Sequence, residues 1–222
     1  KALMIAIGVN PDGRKEVLGF DIYDAEKINT WKSFFEGLKN RGLRGVDLVI
    51  SDSHKGLVES IKECFPGASW QRCQAHFSRN ILDKCPKKYM SGLASELTAM
   101  FNSSTLEESR RLKNAIIEDY QDVALAAVQT LDEGFEDAMT IMYLPMKYRQ
   151  TLRTSNIVER ENREIRKREK VIQIFPNVES ALRLLGAVLM DDHNDWSTRH
   201  RLFDMTEYYG KSTEIKRRWG AA

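Results

Sequence analysis

The chain has 222 residues, 42% hydrophobic and 30% charged, which is enough to bury one domain-sized core and is the balance of an ordinary globular protein. Three cysteines, Cys64, Cys73 and Cys85, are too few and too odd a count for a disulfide framework, and no apolar run approaches the roughly 20 residues that span a bilayer. The net charge of +2 hides a segregation: residues 101–140 hold nine acids against three Lys/Arg, whereas 147–170 hold nine Lys/Arg against four acids. One surface facing an anion and another facing solvent would explain that split.

In chain order, Ala2 to Val9 is an apolar run of strand length, and Asn10-Pro11-Asp12-Gly13 is a turn signal. Glu16 to Tyr23 completes a hairpin. Ile28, Trp31, Phe34, Phe35 and Leu38 recur at helical spacing over 25–40. Val46 to Ser51 is a continuous apolar strand, expected to be buried on both faces. A helix over 55–65, a short strand from Ser69 to Cys73 and a helix from about His76 follow. From Pro86 to about Arg153 the pattern is helical throughout. A basic helix near 156–170, an extended piece from Val171 to Phe175 and a long apolar helix from Ser180 to Trp196 come next. The charged tail from about 205 reads as loosely ordered. This order predicts a mixed α/β sheet layered with helices and interrupted by an all-helical insertion.

Asp52 stands at the carboxyl end of the third strand, where open α/β sheets bind ligands. Two readings stand for it: a ligand-binding carboxylate, or the cap of the helix that follows. Glu159 opens the basic helix; with Asn156 it could form a capping box, or it could pair with cations of its own helix. Its functional reading rests on helical spacing, because Glu159, Arg163, Arg166 and Lys170 share one face. That face would set a metal-binding carboxylate beside phosphate-binding cations. Cys73 and His76 lie three apart, but Cys64 and Cys85 are each nine residues from Cys73, which fits no common zinc pattern.

Three segments together resemble the Mutator-type transposases of bacterial insertion sequences. They are Leu48 to Leu57 around Asp52, then Trp70-Gln71-Arg72-Cys73 with His76, Arg79 and Asn80, and finally Ser155-Asn156 through Glu159-Arg160 to Ile174-Phe175-Pro176-Asn177. The resemblance implies an Asp-Asp-Glu enzyme with a ribonuclease-H-like α/β fold, a large helical insertion preceding the last catalytic helix. It implies a core built from 1–85 and 154–204, an insertion at 86–153, and a charged tail at 205–222. It implies that Asp52 and Glu159 are catalytic residues and ligands of Mg²⁺ (or Mn²⁺), two ions standing about 3.5–4 Å apart in such sites. Cys73, His76, Asn156 and Arg160 would support the active site, and Arg163, Arg166, Lys167 and Lys170 would contact DNA. The implied partner is DNA, with a homo-oligomer assembled on it, in the cytoplasm and away from membranes.

Two departures accompany the resemblance. The family's first Asp lies on a strand before the segment where this chain starts, and Asp12, Asp21 and Asp24 sit in turn or second-strand positions. The expectation is therefore a truncated transposase lacking that Asp and the N-terminal DNA-binding region; the alternative is a catalytically inactive DNA-binding remnant. Glu161 stands where the family has an apolar residue, on the helix face shared by Val158 and Ile165. Burial there should raise its pKa or cost stability, unless an Arg pairs with it. A small-molecule α/β hydrolase is disfavoured, since the chain has no Gly-x-Ser-x-Gly elbow and no Gly-rich phosphate loop.

Overall fold

The computed structural model describes residues 1–172, 175 and 177–220, with side chains left out at 169–172. It is a mixed α/β protein with ten α-helices and two small sheets among the described residues. The strands are β1 (Ala2–Val9), β2 (Lys15–Tyr23), β3 (Leu48–Ser51) and β4 (Ser69–Arg72). The helices are α1 (Ile28–Asn40), α2 (Lys55–Cys64), α3 (Gln74–Leu82), α4 (Lys87–Phe101) and α5 (Leu106–Tyr120). They continue as α6 (Leu125–Met139), α7 (Met146–Leu152), α8 (Asn156–Ile172), α9 (Val178–Thr198) and α10 (Thr206–Arg218). The chain divides into two compact units.

Unit one comprises Lys1–Val46, Lys55–Pro66 and Asn156–Ser212. Its β1 and β2 form the expected antiparallel hairpin, with an irregularity between Ala6 and Ile7. The Asn10 side chain closes the turn by accepting from the N–H groups of Asp12 (3.0 Å) and Arg14 (2.9 Å), as an Asx turn does. Helix α8 packs on β1 and α9 on β2. Ile165, Leu185 and Leu189 are buried there against Leu3, Ile5, Val17, Phe20 and Ile22. Gly186 of α9 permits that approach, since a Cβ would meet the Phe20 ring at 3.1 Å. Helices α1 and α2 pair through Trp31, Phe34, Phe35 and Phe65, whose rings contact in tilted, stacked and edge-on pairs.

Unit two comprises Asp47–His54, Gly67–Ser155 and Thr213–Ala222. Here β3 and β4 pair in parallel, Leu48 opposite Ser69 and Ser51 opposite Arg72. The expected helical block is present as α4 to α7, and α3 packs on α4 and α6 around Phe77, Ile81, Leu93, Leu97, Leu131 and Phe135. A buried amide joins strand to helices. Gln71 Nε2 donates to Ala138 O (2.7 Å), and its Oε1 accepts from Ile141 N–H (2.7 Å).

Three local expectations are corrected. Leu48, Val49 and Ile50 are half-buried, not enclosed on both faces, because β3 has one strand neighbour among the described residues. Val171 and Ile172, read as extended, continue α8; Gln173, Ile174 and Pro176 lie outside the described residues. The charged tail is helix α10, with Tyr208 and Ile215 buried and i,i+4 ion pairs Lys211–Glu207 and Arg218–Glu214 on its surface.

Candidate functional site

In unit two, the parallel register carries one residue beyond each strand to the same end of the sheet. Asp52 follows β3 and Cys73 follows β4, adjacent to the last pair, Ser51 opposite Arg72. The two strand ends are locked, because Cys73 N–H donates to Ser51 O at 2.7 Å. Both readings of Asp52 now have a physical basis. Its Oδ1 accepts from His54 N–H at 3.1 Å, the turn bond that leads the chain into α2. The carboxylate is also half-buried at the carboxyl end of a parallel strand, where oxygen ligands converge in α/β sites.

Cys73 is fully buried and its thiol sulfur accepts from Ser155 N–H (3.4 Å) and Ser155 Oγ (3.3 Å). Gln74 N–H donates to Arg153 O at 2.9 Å. These bonds pin the segment 153–155 to the end of β4. His76 is half-buried in the first turn of α3. In the sequence Ser155 entered only as the opening of a resembling segment; a Ser ahead of a helix is a common cap, and nothing local marks it as a thiol's partner. Cys64 and Cys85 are buried free thiols, each with its pKa pushed up by burial.

In unit one, α8 begins at Asn156 and holds Glu159 in its first turn, at the positive end of the helix dipole. Glu159 is half-buried, and Asn156, Arg160, Arg163, Arg166 and Lys167 are exposed. Lys167 pairs with Glu164 at 2.6 Å, an exposed contact. The side chain of Lys170 lies outside the described residues.

Glu161 is buried, 4% exposed, as its place beside Ile165 predicts. Burial first, then a hydrogen bond and the charge of Asp192 on α9, push its pKa up to about 7; Lys15 opposes them. The expected arginine partner is replaced by this carboxyl–carboxylate contact. Residues two apart on a helix point about 200° apart. Glu161 therefore faces the unit-one core and Glu159 faces away from it.

The sequence matches the model of the transposase Mutator family over residues 1–199. It is 46% identical over 198 residues to a transposase for insertion sequence element IS256 in transposon Tn4001 from Staphylococcus aureus, covering 88% of this chain and 50% of that protein. It is 37% identical over 207 residues to a transposase for insertion sequence element ISRM5 from Rhizobium meliloti, covering 93% and 52%. A third relative, from Mycobacterium tuberculosis, is a transposase for insertion sequence element IS1081, 35% identical over 193 residues, covering 87% and 46%. These are transposases of bacterial insertion sequences. The chain belongs to the Mutator family of transposases. It spans about half the length of the curated relatives it matches. Among the described residues no helix is long and apolar enough to cross a membrane.

Proposed function

We propose that this chain forms part of the catalytic region of a DNA transposase that cleaves and joins DNA strands with Mg²⁺ or Mn²⁺. The observation that carries the reading is the position of Asp52, at the carboxyl end of parallel β3 beside the Cys73 end of β4, in a chain of the Mutator family. Asp52 and Glu159 would be two of three carboxylate ligands. Carboxylate oxygens are hard donors, and Asp52 keeps a second oxygen beyond the one engaged by His54 N–H, so the donor chemistry fits such an ion. Bound divalent ions supply charge neutralisation at the phosphodiester and activation of the attacking oxygen. Cys73 and His76 would support the active site, Cys73 by holding the ends of β3 and β4 together through Ser51 O. Asn156 and Arg160 flank Glu159, and Glu161 is kept out of that role by its burial against Asp192.

The exposed cations of α8, Arg163, Arg166 and Lys167 together with Lys170, would hold the DNA backbone. The ribonuclease-H-like core would comprise 1–85 and 154–204, with 86–153 inserted and 205–222 appended. Work on paired DNA ends in the cytoplasm, as a homo-oligomer, completes the proposal.

Substitutions at Asp52 test it, because its two roles separate. In the protein of the complete reading frame, Asp52→Asn keeps an acceptor for His54 N–H and should leave stability unchanged, whereas Asp52→Ala should lose about 1 kcal/mol. Both, like Glu159→Ala, should abolish Mg²⁺-dependent strand transfer while DNA binding persists. Strand transfer retained by either Ala variant refutes the assignment. DNA binding with no metal-dependent chemistry in the unsubstituted protein favours the non-catalytic DNA-binding reading.

A further inference from the structure

Within unit one, the β1–β2 turn and the segment after α9 enclose an open groove of about 1060 Å³. Four cations line it, Arg14, Lys15, Arg199 and Arg201, against a single acid, Asp204. Asp204 is already engaged at the start of α10, where its Oδ1 accepts from Thr206 N–H (3.0 Å) and Thr206 Oγ1 (2.7 Å). Lys15 lies over the Trp196 ring with Nζ 4.0 Å from its centroid. Arg201 is exposed. Arg199 holds only an exposed i,i+4 pair with Asp195, which an incoming anion can displace.

The groove is a built feature. Leu202 and Phe203 N–H groups both donate to Gly13 O, at 2.8 and 3.1 Å. The Arg14 guanidinium donates to Arg199 O, and Tyr209 Oη donates to Pro11 O at 3.3 Å. Gly13 has φ +80°, and a Cβ there would stand 2.0 Å from Phe203 O. Two segments almost two hundred residues apart in sequence are therefore fastened so that their cations converge. Burial holds Lys15 below the ordinary lysine range; Glu161 opposes this, and the positive charges of Arg160 and Arg199 add to it. A polyanion entering the groove would meet a field set by its four cations.

We infer that this groove is a second DNA-backbone contact, formed by Arg14, Lys15, Arg199 and Arg201 and separate from the exposed cations of α8. It rests on the proposal that DNA is the substrate. Guanidinium forks bind phosphodiester oxygens in pairs, which suits the groove's three arginines to a DNA backbone.

The test is the salt dependence of binding of residues 1–222 to a short fluorescein-labelled DNA duplex, followed by anisotropy. Each phosphate contact contributes about −0.9 to the slope of log K against log salt. Arg199→Ala with Arg201→Ala should reduce the slope by about 2, and Arg201→Lys should keep it, which separates lost charge from disturbed packing. Arg163→Ala with Arg166→Ala should reduce it by about 2 independently. An unchanged slope in the groove variant, with a reduced slope in the α8 variant, overturns the groove and leaves the DNA reading standing. An unsubstituted chain with no salt-sensitive DNA binding overturns both. Displacement of the duplex by poly-glutamate at equal charge overturns the DNA assignment in favour of an acidic protein segment.

Discussion

Replacing Glu161 by glutamine should stabilise the protein above neutral pH and leave it unchanged in acid. Glu161 is an acid whose folded pKa, about 7, lies above its ordinary value of 4.5. Below pH 4.5 the folded and unfolded chains both carry the proton, so burial of the side chain costs no charge. Between 4.5 and about 7 the unfolded chain releases a proton that the folded chain keeps, and stability falls as pH rises. Above about 7 both states are ionised and the loss levels off at about 3 kcal/mol. The hydrogen bond to Asp192 adds to burial in holding the proton on Glu161. Glutamine offers an amide N–H to Asp192 in place of the acid O–H and carries no charge at any pH. Urea unfolding midpoints from about pH 4.5 to pH 8.5, taken with chelator present, should converge for the two proteins at the acid end. They should diverge by about 3 kcal/mol in favour of Glu161→Gln at the alkaline end. Asp192→Asn removes the neighbouring charge and should shrink the pH dependence as well. A difference between Glu161→Gln and the unsubstituted protein that does not change with pH would refute the reasoning, because it would mean that the carboxyl is already ionised in the fold.

Two further substitutions probe the core that holds β4. Gln71→Leu leaves Ile141 N–H without its acceptor and Ala138 O with Gln74 Nε2 alone in a fully buried site, and should cost about 1–3 kcal/mol, read as a lower urea midpoint. Gly134→Ala would ordinarily favour a helix by about 1 kcal/mol. Here the added Cβ would meet Arg72 Nη1 at 2.3 Å and the Phe77 ring at 2.6 Å, so a net loss of about 1–3 kcal/mol is expected in thermal unfolding, and a gain would show that α3 and α6 can separate.

The elements that sequence reading placed correctly are those whose signal is local. The hairpin shows strand-length apolar runs and an Asn-Pro-Asp-Gly turn, and the block from Pro86 to Arg153 shows helical spacing over a long stretch. Errors came where a local signal pointed the wrong way. Val171 and Ile172 are β-branched and favour strands, yet they extend α8. In the tail, charge density masked Tyr208 and Ile215, seven apart and therefore on one helical face, a pattern the sequence did contain. Asp52 and Cys73 were legible because strand ends can be read from apolar runs. The fate of Glu161 was half legible: its burial follows from helical periodicity, but its partner Asp192 sits on another helix, and no periodicity reports a contact between helices.

The basic groove was hidden for the same reason. Its cations at 14, 15, 199 and 201 form no charge run, and the charge excess visible along the chain lies on α8 instead. The backbone of one residue carries two of the bonds that join them. Only a glycine at position 13 can take a positive φ and let its carbonyl accept from residues 202 and 203 without a collision at Phe203 O. The turn signal Asn10-Pro11-Asp12-Gly13 announced the glycine but gave no hint that its carbonyl fastens a distant segment. A short motif read as the punctuation of a hairpin thus also decides whether four cations meet in one place.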